Sequence, residues 1–194
     1  MKNIFAEFAR SIVATIFFAV ILCGIYPLIV YGVARTLFPH RANGSLLVDK
    51  SGAIRGSALL AQNFTGPRYF HPRPSANNYD AENSGGSNLG PTSSNLVAEI
   101  SQHIADYRAE NNLATNVPVP ADAVTASASG LDPDISVANA EIQLPRVAKA
   151  RGMSEEQLRK LVQQNTSGRD LGVFGEPRVN VMTLNFALDQ LAQK

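Results

Sequence analysis

The sequence predicts an α+β protein in which one N-terminal transmembrane helix precedes a single soluble domain with a small sheet and about four helices. A charge-free apolar segment covers residues 11–34. Short apolar runs joined by turn residues follow it, and the later chain has apolar residues at three- and four-residue spacing, which is typical of helices. We therefore expect an N-terminal segment over residues 1–38 and a soluble domain over residues 39–194.

The charge-free segment from Ser11 to Ala34 is long enough to cross a bilayer, because as a helix it would rise about 36 Å at ~1.5 Å per residue. A cleaved signal peptide has a shorter apolar core, followed by a cleavage site with small residues. Neither feature is present, so we predict a retained membrane anchor. Lys2 and Arg10 on one side nearly balance Arg35 and Arg41 on the other, and this charge pattern predicts no orientation.

Three residues inside the span, Gly24, Pro27 and Gly32, differ from the large apolar residues around them. Small residues let a second membrane helix approach closely, and neighbouring helices can satisfy the backbone groups that a proline frees. The pattern therefore fits a face in contact with a partner subunit. A lipid-facing helix with a mild kink fits equally well, and the residues leave both interpretations open.

Charge and cysteine content exclude several classes of protein. The chain carries a net charge of +1, so it lacks the basic surface of a nucleic-acid-binding protein. Its one cysteine, Cys23, lies in the apolar span, so the soluble domain has no disulfide. His40, His71 and His103 are scattered without the spacing of a metal site, and we predict no metal.

The turn Asp49-Lys50-Ser51-Gly52 joins two apolar runs, Leu46–Val48 and Ala53–Leu60, and predicts a β-hairpin. The same four residues resemble the loop of P-type ATPases in which an aspartate is phosphorylated. That chemistry needs Mg²⁺ ligands and a nucleotide domain, and the sequence offers no recognisable version of either. A hairpin turn needs no such partners and is the favoured interpretation.

Four later segments have helical periodicity or helix-capping residues. In the second segment, which ends near Arg151, the cations Arg146, Lys149 and Arg151 suit the negative end of the helix dipole. The four are a helix from about Ser94 to Glu110, a short helix capped by Ser136 that Pro145 interrupts or restarts and that ends near Arg151, a helix with a Ser154–Gln157 capping box, and a C-terminal helix capped by Asn180.

A polar stretch, residues 62–91, separates the hairpin from the helices and is too long for a passive connector. It contains Tyr69, Phe70, His71 and Arg73 on a segment stiffened by prolines. Aromatic, histidine and arginine side chains there suit contact with a partner subunit or an adenine ring. Packing of the loop on its own domain explains them equally well.

The same stretch contains Ser84, Gly85, Gly86 and Ser87, whose backbone N–H groups could form a nest for an anion. A flexible loop is the favoured interpretation of four small residues. The sequence has no Walker loop, no G-x-S-x-G elbow and no H-E-x-x-H motif. We therefore expect no independent enzymatic activity.

Taken together, the segments resemble the C subunit of the Kdp potassium-transporting ATPase, with order and spacing retained over nearly the whole chain. The motifs that carry this resemblance are Asn43-Gly44-Ser45-Leu46-Leu47, Arg55-Gly56-Ser57-Ala58-Leu59 leading into Gln62-Asn63-Phe64, Tyr69-Phe70-His71-Pro72-Arg73-Pro74-Ser75, Ser84-Gly85-Gly86-Ser87-Asn88-Leu89, the run from Val124 to Asp132, the run from Pro145 to Arg151, and the helix from Asn180 to Asp189.

The resemblance implies a single-pass protein of the bacterial inner membrane in a complex for high-affinity potassium uptake. It implies a channel-like A subunit, a P-type ATPase B subunit and a small F subunit as partners, with the soluble domain on the outer face. It also implies a catalytic chaperone that assists assembly and raises the ATP affinity of the B subunit, with ATP as a possible ligand at Gln62, Asn63 and the loop formed by Ser84, Gly85, Gly86 and Ser87.

An alternative remains within the same complex. A domain on the outer face would not meet cytosolic ATP, so the chain could instead be an extracytoplasmic structural subunit. In that interpretation it clamps the channel-like subunit and shapes potassium entry without touching nucleotide, and the loop at Tyr69–Pro74 supplies the contact.

Overall fold

The first 45 residues form a helical unit dominated by one long apolar helix. The computed structural model describes residues 2–192 and divides the chain into two compact units, 1–45 and 46–194. Helix α1 (Lys2–Ala19) runs through a π-helical turn (Val20–Ile25) into α2 (Tyr26–Leu37). A single turn, α3 (Pro39–Ala42), completes the unit.

Within residues 2–192, one helix is long and apolar enough to cross a membrane, Asn3–Leu37. It is longer than the charge-free segment, because its helical conformation includes the polar residues at both ends. The π-helical turn lies just before Pro27, which has no N–H to give to the carbonyl four residues earlier. Such insertions are a usual way for a helix to accommodate an interrupted hydrogen-bond ladder.

The second unit opens with the predicted hairpin. Strand β1 (Leu46–Val48) pairs antiparallel with β2 (Ile54–Ser57), with Leu46 opposite Ser57. The Asp49 carboxylate accepts hydrogen bonds from the backbone N–H groups of Ser51 and Ala53, at 2.8 and 3.0 Å. These bonds close the turn, so the interpretation of this segment as a hairpin is confirmed.

A three-stranded antiparallel sheet and four helices form the rest of the domain. The strand Arg178–Asn180 lies in the centre of the sheet, between Asp134–Ser136 and Thr166–Ser167. The remaining elements are α4 (Ser94–Glu110), a 3₁₀ turn (Ala121–Ala123), β3 (Asp134–Ser136), α5 (Val137–Arg151), α6 (Glu155–Gln164), β4 (Thr166–Ser167), β5 (Arg178–Asn180) and α7 (Val181–Ala192).

Three of the predicted helix starts carry the expected caps. The Ser136 and Ser154 hydroxyls accept from the third residue of α5 and α6, and Gln157 completes the capping box. The Asn180 side chain accepts from the N–H of Thr183 at the start of α7. Pro145 does not interrupt α5, because the helix continues through it to Arg151 with the proline ring on the exposed side.

The main core lies where α5, α6 and α7 meet the sheet. Fully buried residues from all these elements pack there, together with one aromatic residue of the polar stretch, Phe70. A smaller core joins α4 to the 3₁₀ turn around Tyr107 and Val124. Both cores lie inside the second unit, so the domain has the buried apolar surface it needs to fold.

Candidate functional site

Part of the polar stretch is fastened to the domain, and this fixes the geometry of the candidate site. The Phe70 side chain is 0% exposed. Its N–H donates to the Asn185 side chain at 2.9 Å, and its carbonyl accepts from the same amide at 2.8 Å. Both backbone hydrogen-bonding groups of Phe70 are therefore paired with α7, as those of a strand residue are paired with a neighbouring strand.

Arg146 of α5 fastens the same segment from the other side. Its guanidinium donates to the carbonyl of Tyr69 at 3.0 Å, to the side chain of Gln143 at 2.8 Å and to Asn111 at 3.0 Å. Its surroundings lower the pKa of this guanidinium, mainly because burial disfavours the charged form, although nearby Glu110 opposes the effect. Arg146 therefore acts inside the domain, and not as an exposed cation at the end of a helix.

Tyr69 lies beside Phe70 but points toward a cluster of polar groups. Its hydroxyl donates to Asp189 of α7 at 3.1 Å, and the Arg151 guanidinium lies 4.9 Å from the centre of its ring. Arg151 also pairs with Asp189 at 2.8 Å, and the ring of Phe64 lies 5.3 Å from that of Tyr69. The cluster fixes Tyr69 in one position at the wall of a hollow.

This hollow has a volume of about 630 Å³, within the usual range of ligand sites. We call it the Gln62 hollow. Apolar side chains from β1, the polar stretch and α7 form part of its lining, and two carboxylates, two arginines and two amides provide its polar groups. Its lining residues are Leu47, Asp49, Arg55, Gln62, Phe64, Arg68, Tyr69, Met182, Phe186, Asp189 and Gln190.

Of the four charged side chains that line the Gln62 hollow, three have partners of opposite charge and one, Arg68, has none among the described residues. Arg55 donates to the Asp49 carboxylate at 2.7 Å. The hydrogen bonds from Ser51 and Arg55 hold the pKa of Asp49 well below its usual range. Asp189 is held by Tyr69 and Arg151. Among the described residues, no carboxylate pairs with Arg68, so its guanidinium remains available to an anion.

Gln62 lies over the hairpin, where its side-chain amide donates to the Arg55 carbonyl at 3.2 Å. Glycine at position 56 makes this possible, because an added Cβ there would come within 2.8 Å of the Gln62 amide nitrogen and 2.9 Å of the Met182 methyl group. Among the described residues, none donates to the side-chain amide oxygen of Gln62, Oε1, whereas its backbone carbonyl accepts from the N–H of Phe64 at 2.9 Å. The side-chain oxygen can therefore accept a hydrogen bond from a ligand.

The other predicted nucleotide residues lie elsewhere. Asn63 lines a second hollow of about 310 Å³, next to α4, and Ser84 lines a third of about 480 Å³. The Gly85 N–H already donates to the carbonyl of Ser129 at 2.9 Å, and a Cβ at Gly86 would be 3.0 Å from the carbonyl oxygen of Ala128. The Ser84–Ser87 loop thus packs closely on the segment before β3, and the six residues do not line one pocket.

The residues predicted to contact a partner subunit differ in how far they are exposed on the domain surface. Tyr69 and His71 are partly exposed, whereas Phe70 is in the core and has no side-chain surface to offer. His71 lies 2.8 Å from Glu110 and its other ring nitrogen is 2.9 Å from the carbonyl of Gly66. Arg73 pairs with Asp132 at 3.1 Å. Most of this set therefore fastens the polar stretch to its own domain.

In the apolar helix, the predicted contact residues are accessible. A Cβ added at Gly24 or Gly32 would meet nothing within 4 Å, and Pro27 lies in the exposed first turn of α2. Gly24 falls within the π-helical turn. Within residues 2–192, no group of three or more histidine, cysteine, aspartate or glutamate side chains is placed to hold a metal ion.

Several residues of the Gln62 hollow were not predicted from the sequence, among them Arg68, Asp189 and Phe186. Asp189 and Phe186 lie on α7, and the hydrogen bond between Tyr69 and Asp189 joins residues 120 positions apart. Periodicity shows which residues share a helix face, but not which loop that face meets. The sequence carries no local signal for the pair of Arg151 and Asp189, because these residues lie on different helices, 38 positions apart.

Comparison with known proteins gives a consistent result. A family model described as KdpC, K⁺-transporting ATPase, c chain, matches residues 8–190. The Potassium-transporting ATPase KdpC subunit of Koribacter versatilis is 50% identical over 190 residues, covering 97% of this chain and 94% of that protein. Proteins of the same name from Mycobacterium bovis and Nitratidesulfovibrio vulgaris are each 51% identical, covering 90% and 94% of this chain and 93% of each relative.

Proposed function

Because this chain belongs to the family of the c chain of K⁺-transporting ATPases, we propose that it is a non-catalytic accessory subunit that assists assembly and raises the ATP affinity of the ATPase subunit. The Gln62 hollow is the observation that supports the second part of this role. In a space of about 630 Å³ it brings together aromatic rings, the side-chain oxygen of Gln62, to which no described residue donates, and Arg68, which pairs with no described carboxylate.

An adenine nucleotide suits these groups chemically. The exocyclic amine of adenine is a donor for the side-chain amide oxygen of Gln62, and the flat face of the base can pack on the ring of Phe64. The Arg68 guanidinium can pair with a phosphate oxygen. In the complex, this domain would add such contacts to those of the ATPase subunit, and ATP would dissociate more slowly.

The affinity of the assembled complex for ATP tests this role. In a Gln62→Ala complex we expect about 5–30-fold weaker ATP binding, corresponding to a lost hydrogen bond of ~1–2 kcal/mol. Gln163→Ala, an exposed glutamine on α6, is the matched control and should bind ATP normally. Equal affinities in the two variants would contradict a nucleotide role for Gln62.

The apolar helix supports the first part of the role. As a single-pass anchor in the bacterial inner membrane, Asn3–Leu37 would place Gly24, Pro27 and Gly32 against the membrane helices of other subunits. The expected partners are a channel-like A subunit, the P-type ATPase B subunit and a small F subunit. Tyr69, His71 and Arg73 are the proposed contacts of the soluble domain, and Phe70 supports them from the core.

A second candidate function is favoured by the distribution of the predicted nucleotide residues. Gln62, Asn63 and Ser84 line three different hollows, and the Gly85 N–H is already bonded within the domain. An extracytoplasmic subunit that clamps the channel-like subunit and shapes potassium entry needs no such shared pocket. It requires the domain on the outer face of the membrane.

Membrane topology separates the two candidates. Cys23→Ser removes the one native cysteine, and Glu99→Cys puts a new one on the exposed side of α4. Labelling of intact cells by a membrane-impermeant maleimide would place the domain outside, exclude contact with cytosolic ATP and support the clamp. Labelling only after lysis would place it in the cytoplasm and support the nucleotide role.

A further inference from the structure

The segment between β4 and β5 displays the most exposed large apolar side chains described in the second unit. Leu171 is 90% exposed, Val173 68% and Phe174 65%. Single exposed apolar residues are normal on a protein surface, but three within four positions are a cluster. We call residues 170–174 the apolar turn.

The apolar turn is held in one conformation by its own backbone. Asp170 and Phe174 exchange two hydrogen bonds, from N–H to carbonyl, of 2.8 and 2.9 Å. The N–H of Gly172 donates to Arg169 at 3.1 Å, and that of Val173 donates to Asp170 at 3.2 Å. Since the turn is ordered before any partner arrives, binding would cost little further conformational entropy.

The charges next to the apolar turn are paired with each other. Arg169 donates to both carboxylate oxygens of Glu176 at 2.8 Å. Arg178 lies 3.7 Å from Asp170 and 3.1 Å from Asp134. The rim of the turn therefore offers no excess of positive charge, which attachment to an anionic bilayer requires. A neutral, apolar protein surface is the complementary partner.

We propose that the apolar turn inserts into a neutral, apolar pocket on another subunit of the K⁺-transporting ATPase. Its relatives are named subunits, so a chain of this family has other protein surfaces beside it. An exposed phenylalanine on a preformed turn, flanked by aliphatic side chains, suits the apolar centre of a protein interface, where aromatic residues are enriched and a few residues provide most of the affinity. This contact is independent of any ATP site.

Substitution in the assembled complex tests the contact. Leu171→Ser with Phe174→Ser should lower the recovery of the other subunits at least ~10-fold in a purification through this chain, because two anchor residues are lost. Val97→Ser is the matched control, since Val97 is also apolar and 59% exposed but lies on α4. Thermal unfolding of the full chain in detergent should be the same for all three proteins. Unchanged recovery of the subunits would overturn the proposal.

Photo-crosslinking then identifies what covers the turn. Phe174→p-benzoylphenylalanine, in the purified complex, should give a covalent product with another ATPase subunit, and the same amino acid at Val97 should not. A product with lipid or with a second copy of this chain, or no product, would overturn the proposal even if the double serine variant assembles poorly.

Discussion

Gln143 shows how a single buried side chain joins the polar stretch to the helices. Its amide oxygen accepts from the N–H of His71 at 2.7 Å and from Arg146 at 2.8 Å. Its amide nitrogen donates to the carbonyl of His71 at 3.1 Å and to Asn139 at 2.8 Å. All four hydrogen-bonding positions of the amide are used, so hydrogen bonds within the protein offset the cost of removing it from water.

Glu110 belongs to the same cluster and makes it sensitive to acid. Burial alone would raise the pKa of Glu110, but the hydrogen bond from His71 and the charges of His71 and Arg146 outweigh burial, and the pKa is lowered. A carboxylate with a lower pKa in the folded state stabilises the fold above its unfolded pKa of 4.5. That contribution is lost as the pH falls through the lower, folded value.

We therefore expect Glu110→Gln to be less stable than the native chain at pH 7, and we expect this difference to shrink as the pH falls below 4.5. Denaturant unfolding of the full chain in detergent, at several pH values, measures the effect. Glu99→Gln, on the exposed side of the same helix, should show no such difference. A stability loss in Glu110→Gln that is constant from pH 7 to pH 3 would contradict the assignment.

At the scale of the element, α6 has a complete capping box. The Ser154 hydroxyl accepts from the N–H of Gln157, and the Gln157 side chain accepts from the N–H of Ser154, both at 3.2 Å. These bonds satisfy two N–H groups that the first turn of a helix cannot pair internally. The helix also supplies Leu158 and Val162 to the main core, so its start affects the whole domain.

Ser154→Ala should lower the free energy of unfolding by about 1 kcal/mol, and the melting temperature by about 2–4 °C. Circular dichroism of the full chain in detergent measures both. Ser94→Ala is the control, because Ser94 follows the true cap of α4, Ser93, and its replacement leaves that cap intact. Equal melting temperatures for the two variants would contradict the role of the capping box.

The sequence predicted well those elements that depend on interactions between residues close together in the chain. The hairpin at Asp49, the caps at Ser136 and Ser154, and the periodicity of α4 each depend on residues a few positions apart. The expected break at Pro145 is absent, because its missing N–H affects one hydrogen bond and packing of the surrounding helix in the core outweighs that loss.

The candidate site could not be predicted in the same way. Gln62 and Tyr69 were singled out from the sequence, and they do line one hollow. The burial of Phe70 was not foreseen, since an aromatic residue in a polar stretch gives no sign of a distant amide such as Asn185. The order of the small sheet likewise depends on pairing between strands far apart in the chain.

On the scale of the whole molecule, the two units have different structural requirements. The helix Asn3–Leu37 exposes its apolar side chains and needs a membrane or partner helices to cover them. Among residues 2–192, every buried apolar residue lies between Ala61 and Leu188, inside the second unit with its own sheet and helices. The second unit should therefore fold without the first.

A chain that begins at residue 46 should be monomeric in solution and unfold cooperatively, with the helix content expected from α4 to α7. It should not be recovered with the other ATPase subunits from membranes, because the anchor is missing. Size-exclusion chromatography measures the oligomeric state, circular dichroism the helix content and unfolding, and a pull-down the recovery with the other subunits. Aggregation or a non-cooperative transition would show that the domain depends on the anchor for its fold.

The fastening of Phe70 by Asn185 has a consequence for how the protein is made. The two residues are 115 positions apart, and at ~5–20 residues per second a ribosome needs roughly 6–23 s to add the second after the first. During that interval the anchor has already been synthesised, while Phe70 lacks the Asn185 side chain that will fasten it and leaves apolar surface exposed. Nascent chains of this protein should thus be clients of general chaperones until the last helix emerges, and their productive yield should depend on the rate of translation.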